Sequence, residues 1–234
     1  ALPAVAIEAR ASGELSGTGG KLVKVGTGPL TLLGANSYDG GTSISGGIIN
    51  VQNSAGFGTN GTVSCVTRNG GIQVQGDINI PATVAFTLSN DGTSPAPAIP
   101  YAIDNVSGNN TINGTLTLTT GGGGAAIQSD SGALVLSGIL RIATGQSSRG
   151  FTLQGVSTAA NTISGPITNG TSGVNSITKN GPGNWTLSGT NLYSGSTIVN
   201  GGTLFLSGNG SISYSPLISI AAGATFDVSG LSST

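Results

Sequence analysis

Apolar and polar residues alternate along most of this chain in runs of four to seven. Leu30-Thr31-Leu32, Ile72-Gln73-Val74, Val84-Ala85-Phe86-Thr87-Leu88, Leu116-Thr117-Leu118, Leu134-Val135-Leu136, Leu204-Phe205-Leu206 and Phe226-Asp227-Val228 all follow the pattern. Glycine, Asn-Gly or Ser-Gly separates one run from the next. Period-two alternation rich in Val, Ile and Thr and bounded by glycine is the signature of short β-strands with one face inward. No segment carries apolar residues at i, i+3, i+4 and i+7 over three turns. The abundant Ser, Thr, Asn and Gly are weak helix formers. The pattern predicts an all-β protein.

One stretch is written twice. Gly26 to Val51 reads GTGPLTLLGANSYDGGTSISGGIINV, and 155 positions later Gly181 to Leu206 reads GPGNWTLSGTNLYSGSTIVNGGTLFL, without a gap. Eleven positions are identical, among them Gly26/Gly181, Leu32/Leu187, Asn36/Asn191, Tyr38/Tyr193, Thr42/Thr197 and Gly47/Gly202. Self-similarity at a distance marks repeat architectures, in which each unit buries its apolar face by stacking on the next. A sandwich of antiparallel hairpins gives no reason for such recurrence. The reading is therefore a right-handed parallel β-helix, or β-solenoid, with short Gly/Asn-rich corners. Coils of ~20 residues would give roughly ten to twelve rungs, and at ~4.8 Å per rung a rod on the order of 50 Å long. The two copies are expected to occupy equivalent places on one stack.

Residues 1–20 are read as an N-terminal arm or first coil, and residues 21–234 as a single solenoid. Ala4-Val5-Ala6-Ile7-Glu8 alternates and is either a first rung or an arm that adds a strand to a neighbouring subunit. Two stretches interrupt the rhythm. Asn90 to Pro100 holds three prolines, which cannot donate to a ladder, and so predicts an excursion off the rod. Gly121 to Gly124 reads as a wide corner or flexible bulge.

Composition narrows the function classes. Only 6% of residues are charged and the net charge is −1, while the mean hydropathy is +0.21, so the chain is too apolar and too uncharged to be disordered. Near-neutrality removes the self-repulsion that keeps proteins apart. Seven Lys and Arg scattered over 234 residues make no basic stripe for nucleic acid. No apolar run approaches the ~18 residues of a spanning helix, and ten aromatics form no barrel girdle. The first residues, ALPAVAIEAR, lack Met, as a processed or excised segment would.

Candidate chemistry is sparse. Histidine is absent, which removes the usual general base and His-based zinc sites. Cys65 is the single cysteine and reads as a small buried hydrophobe. Glu8, Glu14, Asp39, Asp77, Asp91, Asp104, Asp130 and Asp227 mostly stand alone beside glycine, as turn residues do. Asp91 and Asp104 bracket the proline-rich excursion and are the best pair for a carbohydrate-active enzyme. The reading assigns no catalytic, cofactor-binding or metal-binding residue and no cofactor. Seven Asn-x-Ser/Thr sequons occur, most of them by chance in so polar a chain.

The duplicated segment resembles the autotransporter-associated β-strand repeat, or passenger-associated transport repeat. Its pattern of glycines, Leu/Trp, Asn-x-Tyr, Thr and Ile/Val is filled throughout by Gly181, Gly183, Trp185, Leu187, Gly189, Asn191, Tyr193, Gly195, Thr197, Val199, Gly202, Leu204 and Leu206. The first copy departs mildly, at Leu30 and Ile49. The resemblance implies an extracellular β-helix at the surface of a Gram-negative bacterium, in a family of adhesins, toxins and stalks. Within it, Asn36/Asn191 and Tyr38/Tyr193 are read as corner and packing residues rather than as a binding site, with the asparagines able to stack as an inward amide ladder and the tyrosines to cover a corner with the hydroxyl at the surface. The expected function is non-enzymatic and structural: a self-assembling subunit of a cell-surface fibre. Its end coils carry few edge charges (Lys21 and Lys24, then Asp227) and would stack head to tail. The rival expectation is an adhesin passenger fragment whose loops bind a glycan or a host protein.

Overall fold

The computed structural model describes residues 9–90, 99–119 and 123–232. Ala4–Glu8, Asp91, most of the proline-rich excursion and part of the glycine run lie outside the described residues. Every pairing between strands is parallel, and no helix occurs among the described residues. The chain winds about nine turns of a β-solenoid. Its faces are a ten-stranded sheet from Ala9–Ala11 to Ile218–Ile220, a seven-stranded sheet from Asn79–Ile80 to Thr225–Leu231, and a six-stranded sheet from Leu22–Lys24 to Leu140–Ile142.

The alternation read from the sequence is the in–out alternation of these strands. Ile49, Ile72, Ile103, Ile127 and Leu153 pair in register on successive turns of the ten-stranded sheet and are all buried. Val63, Phe86, Leu116 and Leu140 form the matching column of the six-stranded sheet. Each such side chain contributes roughly 1.5–3 kcal/mol by leaving water, so the core is a continuous apolar filament along the axis. Phe57 packs edge-on against Phe86, ring centres 6.1 Å apart.

Two expectations about the winding are corrected. The turns are fewer than ten to twelve because their length varies: register partners lie 19 residues apart at Leu30/Ile49 and 31 apart at Ile72/Ile103, where the excursion is inserted. Moreover, the two copies do not share one stack. Leu30–Leu32 and Gly47–Val51 lie in the ten-stranded sheet and Thr42–Ile44 in the six-stranded one. Their counterparts Asn184–Leu187 and Thr203–Gly208 lie in the seven-stranded sheet, and Thr197–Val199 in the ten-stranded one. The second copy has been carried six turns and one further face around the axis.

The reason lies in the third side. Only between Asn79 and Ile142 do three sheets enclose the core. Toward the N-terminus the seven-stranded face is missing, and residues 34–39 of the first copy cross that side. Toward the C-terminus the six-stranded face has dwindled to bridges such as Leu140↔Ile167 and Thr190↔Ser211, and residues 189–195 cross there. In each repeat copy the Asn-x-Tyr corner thus takes the place of a strand on the side that has no sheet.

Candidate functional site

Without a ladder, a corner must satisfy its buried backbone groups by side chains. Asn36 Oδ1 accepts from Leu15 N of the preceding coil at 2.8 Å, and its Nδ2 donates to Gly56 O of the following coil at 2.6 Å. Asn191 Oδ1 accepts likewise from Ile167 N at 3.0 Å, but its buried Nδ2 has no partner. These amides clamp backbone across coils and do not stack on each other, which corrects the expected ladder. The tyrosines are corrected as well. Tyr38 and Tyr193 are buried, and each hydroxyl bonds the threonine four residues on, Tyr38–Thr42 and Tyr193–Thr197 both at 2.7 Å. Burial pushes the Tyr193 hydroxyl up to about 12, against the opposing Thr197 bond.

A residue that the sequence reading treated as an edge charge proves central. Lys24 is buried, and Nζ donates to the carbonyls of Val25, Gly26 and Gly46 at 2.9, 2.8 and 3.0 Å. Lys179, 155 positions on, donates to Asn180, Gly181 and Gly201 at 2.8, 2.9 and 3.0 Å. All three ammonium donors are used, tying the turn at Gly26/Gly181 to the corner of the next coil. The turns need glycine, with φ of 71° and 70° at Gly26 and Gly181 and 71° and 60° at Gly47 and Gly202. Burial lowers both ammonium pKa values, that of Lys179 to about 8. The signal was present in the sequence, since Lys24 and Lys179 lie two residues before the aligned glycines. A lysine is simply not expected inside an apolar rod.

An amide ladder does exist, on another face. Asn50, Gln73, Asp104, Gln128 and Gln154 are register partners pointing outward from the ten-stranded sheet. Asn50 Nδ2 donates to Gln73 Oε1 at 3.2 Å and Gln154 Nε2 to Gln128 Oε1 at 2.9 Å. The return of the excursion lies over this ladder: Gln73 Nε2 donates to the Tyr101 hydroxyl and Gln154 Nε2 to Pro100 O, at 2.8 and 2.9 Å. Beside it an open groove of about 430 Å³ is floored by Gly124, Gly150, Thr152 and Thr178 and flanked by Arg149 and Ser196.

Two further carboxylates accept backbone amides at turns. Asp77, the one described non-glycine residue at positive φ (61°), accepts from Asn109 N at 2.7 Å, and Asp227 from Ser229 N at 2.8 Å. Asp104 differs, being buried within the outward ladder. Cys65 is fully buried, and burial pushes its thiol up to about 12. No group of three or more His, Cys, Asp or Glu gathers among the described residues.

The lysine-clamped glycine turns and Asn-x-Tyr corners both fall within the two repeat copies. The model of the passenger-associated-transport-repeat family matches residues 22–51 and 177–206, and both stretches include the buried lysine. Over 194 residues, 82% of this chain, the sequence is 31% identical to the adhesin BmaC autotransporter of Brucella suis biovar 1 (strain 1330). The chain is an autotransporter-associated β-helix repeat protein. It spans about 4% of that relative's length. No solved structure matches it.

Proposed function

We propose that this chain is a non-enzymatic, structural β-solenoid of a Gram-negative cell surface, part of an adhesin-type passenger, and that its last coil carries a further coil of the same kind, from the same passenger or from a second copy. The observation that carries the stacking is the state of that coil. Ile218 and Ile220 follow the inward positions of Thr197 and Val199, yet remain 44% and 49% exposed. Phe226 follows Leu204 and is only partly buried, while Val228 is 47% exposed. Ile218–Ile220 and Thr225–Leu231 each end their sheet, so one row of backbone groups on each faces no strand. An apolar cross-section edged with open hydrogen-bonding groups fits another coil of the same kind. Where that coil belongs to a second copy, the contact joins two different surfaces, is heterologous and propagates.

Sedimentation of the purified chain at neutral pH, followed by electron microscopy, tests this. The expected result is concentration-dependent association into filaments that Ile220→Lys or Val228→Lys abolishes. A chain that sediments as a monomer at 100 μM would sink the stacking.

The second reading, a ligand-gripping adhesin segment, is favoured by the groove over Gly150. Its volume lies in the range of small-ligand sites, and hydroxyls and backbone amides line it. Glycan-array binding that Thr152→Lys and Thr178→Lys remove, with assembly intact, would support that reading over a plain rod.

A further inference from the structure

Asp104 is the buried acid that neither reading uses. It lies on the strand Ile103–Ser107, between the inward Ile103 and Asn105, and so faces outward. There the return of the excursion covers it, leaving the residue 3% exposed. Its Oδ1 is buried without a hydrogen-bond partner, and its Oδ2 accepts only a long bond, 3.5 Å, from Gln73 Nε2. A buried carboxylate so poorly served is costly unless something else meets it.

A second acid stands beside it. Asp104 pairs in register with Gln128 on the next turn, and Asp130 is two residues beyond Gln128, on the same outward face. Asp130 N donates to Asn105 O at 2.9 Å, which holds that residue diagonal to Asp104. Such diagonal neighbours lie roughly 7–8 Å apart at the backbone, within reach of a shared ion. Asp130 Oδ2 accepts from Gln128 Nε2 at 2.9 Å. The Tyr101 hydroxyl completes the group. It accepts from Gln73 Nε2, so its oxygen belongs to the same cluster.

Gln73 Nε2 reaches both the Tyr101 hydroxyl and Asp104 Oδ2, at 2.8 and 3.5 Å, and so brings those two oxygens to one place. The Asp104 carboxyl is raised to about 7, first by burial and then by the charge of Asp130, against the Gln73 bond. The Tyr101 hydroxyl is pushed up to about 12, first by burial, then by Asp104, with Asp130 adding a smaller part against the Gln73 bond. Two negative groups and a phenol oxygen press on one another where the chain rejoins the rod.

We infer that Asp104, Asp130 and Tyr101 form a site for a hard divalent cation of the calcium class, which pins the returning segment Ile99–Tyr101 to the outer face of the ten-stranded sheet. Oxygen donors alone select calcium or magnesium over softer metals. An irregular set on two strands and a loop suits calcium, which tolerates flexible shells, better than magnesium, which demands near-octahedral geometry. Water would fill the remaining positions. Two carboxylates place the affinity in the weak range of extracellular modules, about 0.1–1 mM.

The test uses the full chain, freed of metal with EDTA and desalted, and titrated calorimetrically with calcium chloride at pH 7. Saturable binding at one site is expected. The midpoint of thermal unfolding should rise by several degrees in 5 mM calcium and by clearly less in 5 mM magnesium. Asp104→Asn should remove the binding and the thermal shift. Asp130→Asn, at an exposed position that folding tolerates, should weaken binding at least tenfold, whereas Asp77→Asn should change nothing. No binding, or binding that survives Asp104→Asn and Asp130→Asn, would overturn the assignment and leave Asp104 a buried, protonated acid.

Discussion

The replacement Lys179→Met asks most of the reasoning about the repeat. Methionine approximates the length and apolar stem of lysine and deletes the three donors to Asn180, Gly181 and Gly201. Hydrogen bonds to a charged group are worth about 1.5–3 kcal/mol each, so three taken singly would sum to about 4.5–9 kcal/mol. The upper part of that range is too large, because the buried ammonium itself carries a desolvation cost, visible in its pKa of about 8. The stranded neutral carbonyls set the outcome, each costing about 1–3 kcal/mol where it stays unmet, and about 3–5 kcal/mol of destabilisation is expected in all. Urea unfolding followed by the fluorescence of Trp185 reads the effect locally. The indole is buried, and its Nε1 donates to Gln154 O at 3.2 Å one turn away.

The pH dependence supplies an independent check. The folded pKa of Lys179 lies below the ordinary 10.5, so between about pH 8 and 10.5 the unfolded chain binds more protons than the native one. Stability from this group therefore rises with pH through that window, and the Met variant should lack the rise. A variant within 0.5 kcal/mol of the parent, with a superimposable profile from pH 8 to 10.5, would refute the clamp.

Other outcomes follow from the same geometry. Tyr38→Phe should cost about 1–3 kcal/mol by leaving the Thr42 hydroxyl stranded, whereas Tyr193→Phe should cost about 0.5–1.5 kcal/mol, because Thr197 Oγ1 still meets Ser215 Oγ at 3.0 Å; chemical denaturation orders the two. A methyl group on Gly114 would lie 1.7 Å from Val84 O, so Gly114→Ala should lose about 3 kcal/mol or more. Gly76 (φ 92°) has open space around it and should lose only the conformational ~1–2 kcal/mol, a contrast readable in melting temperatures. The Cys65 thiol should ignore a thiol-specific disulfide reagent at pH 8 in the native chain and react on unfolding, as its burial requires.

The sequence by itself determined the class of fold and the repeat. Alternation over short runs is a local property, and a residue that faces inward in one strand does so in any parallel coil, so Ile72, Val74, Phe86 and Leu116 were legible as core. Glycines at fixed spacing marked the turns, and the buried state of Cys65 followed from an apolar run. Which strand lies above which is not local. Coil lengths that drift between 19 and 32 residues set the register, and only the closed winding fixes them. Hence the sequence could not show that the two copies sit on different faces, that the true amide ladder joins Asn50 to Gln154, or that Asp104 meets Asp130 across a turn. The lysines were hidden for a different reason. Burying an ammonium is unfavourable until three carbonyls converge on it, and that convergence exists only once successive coils have stacked.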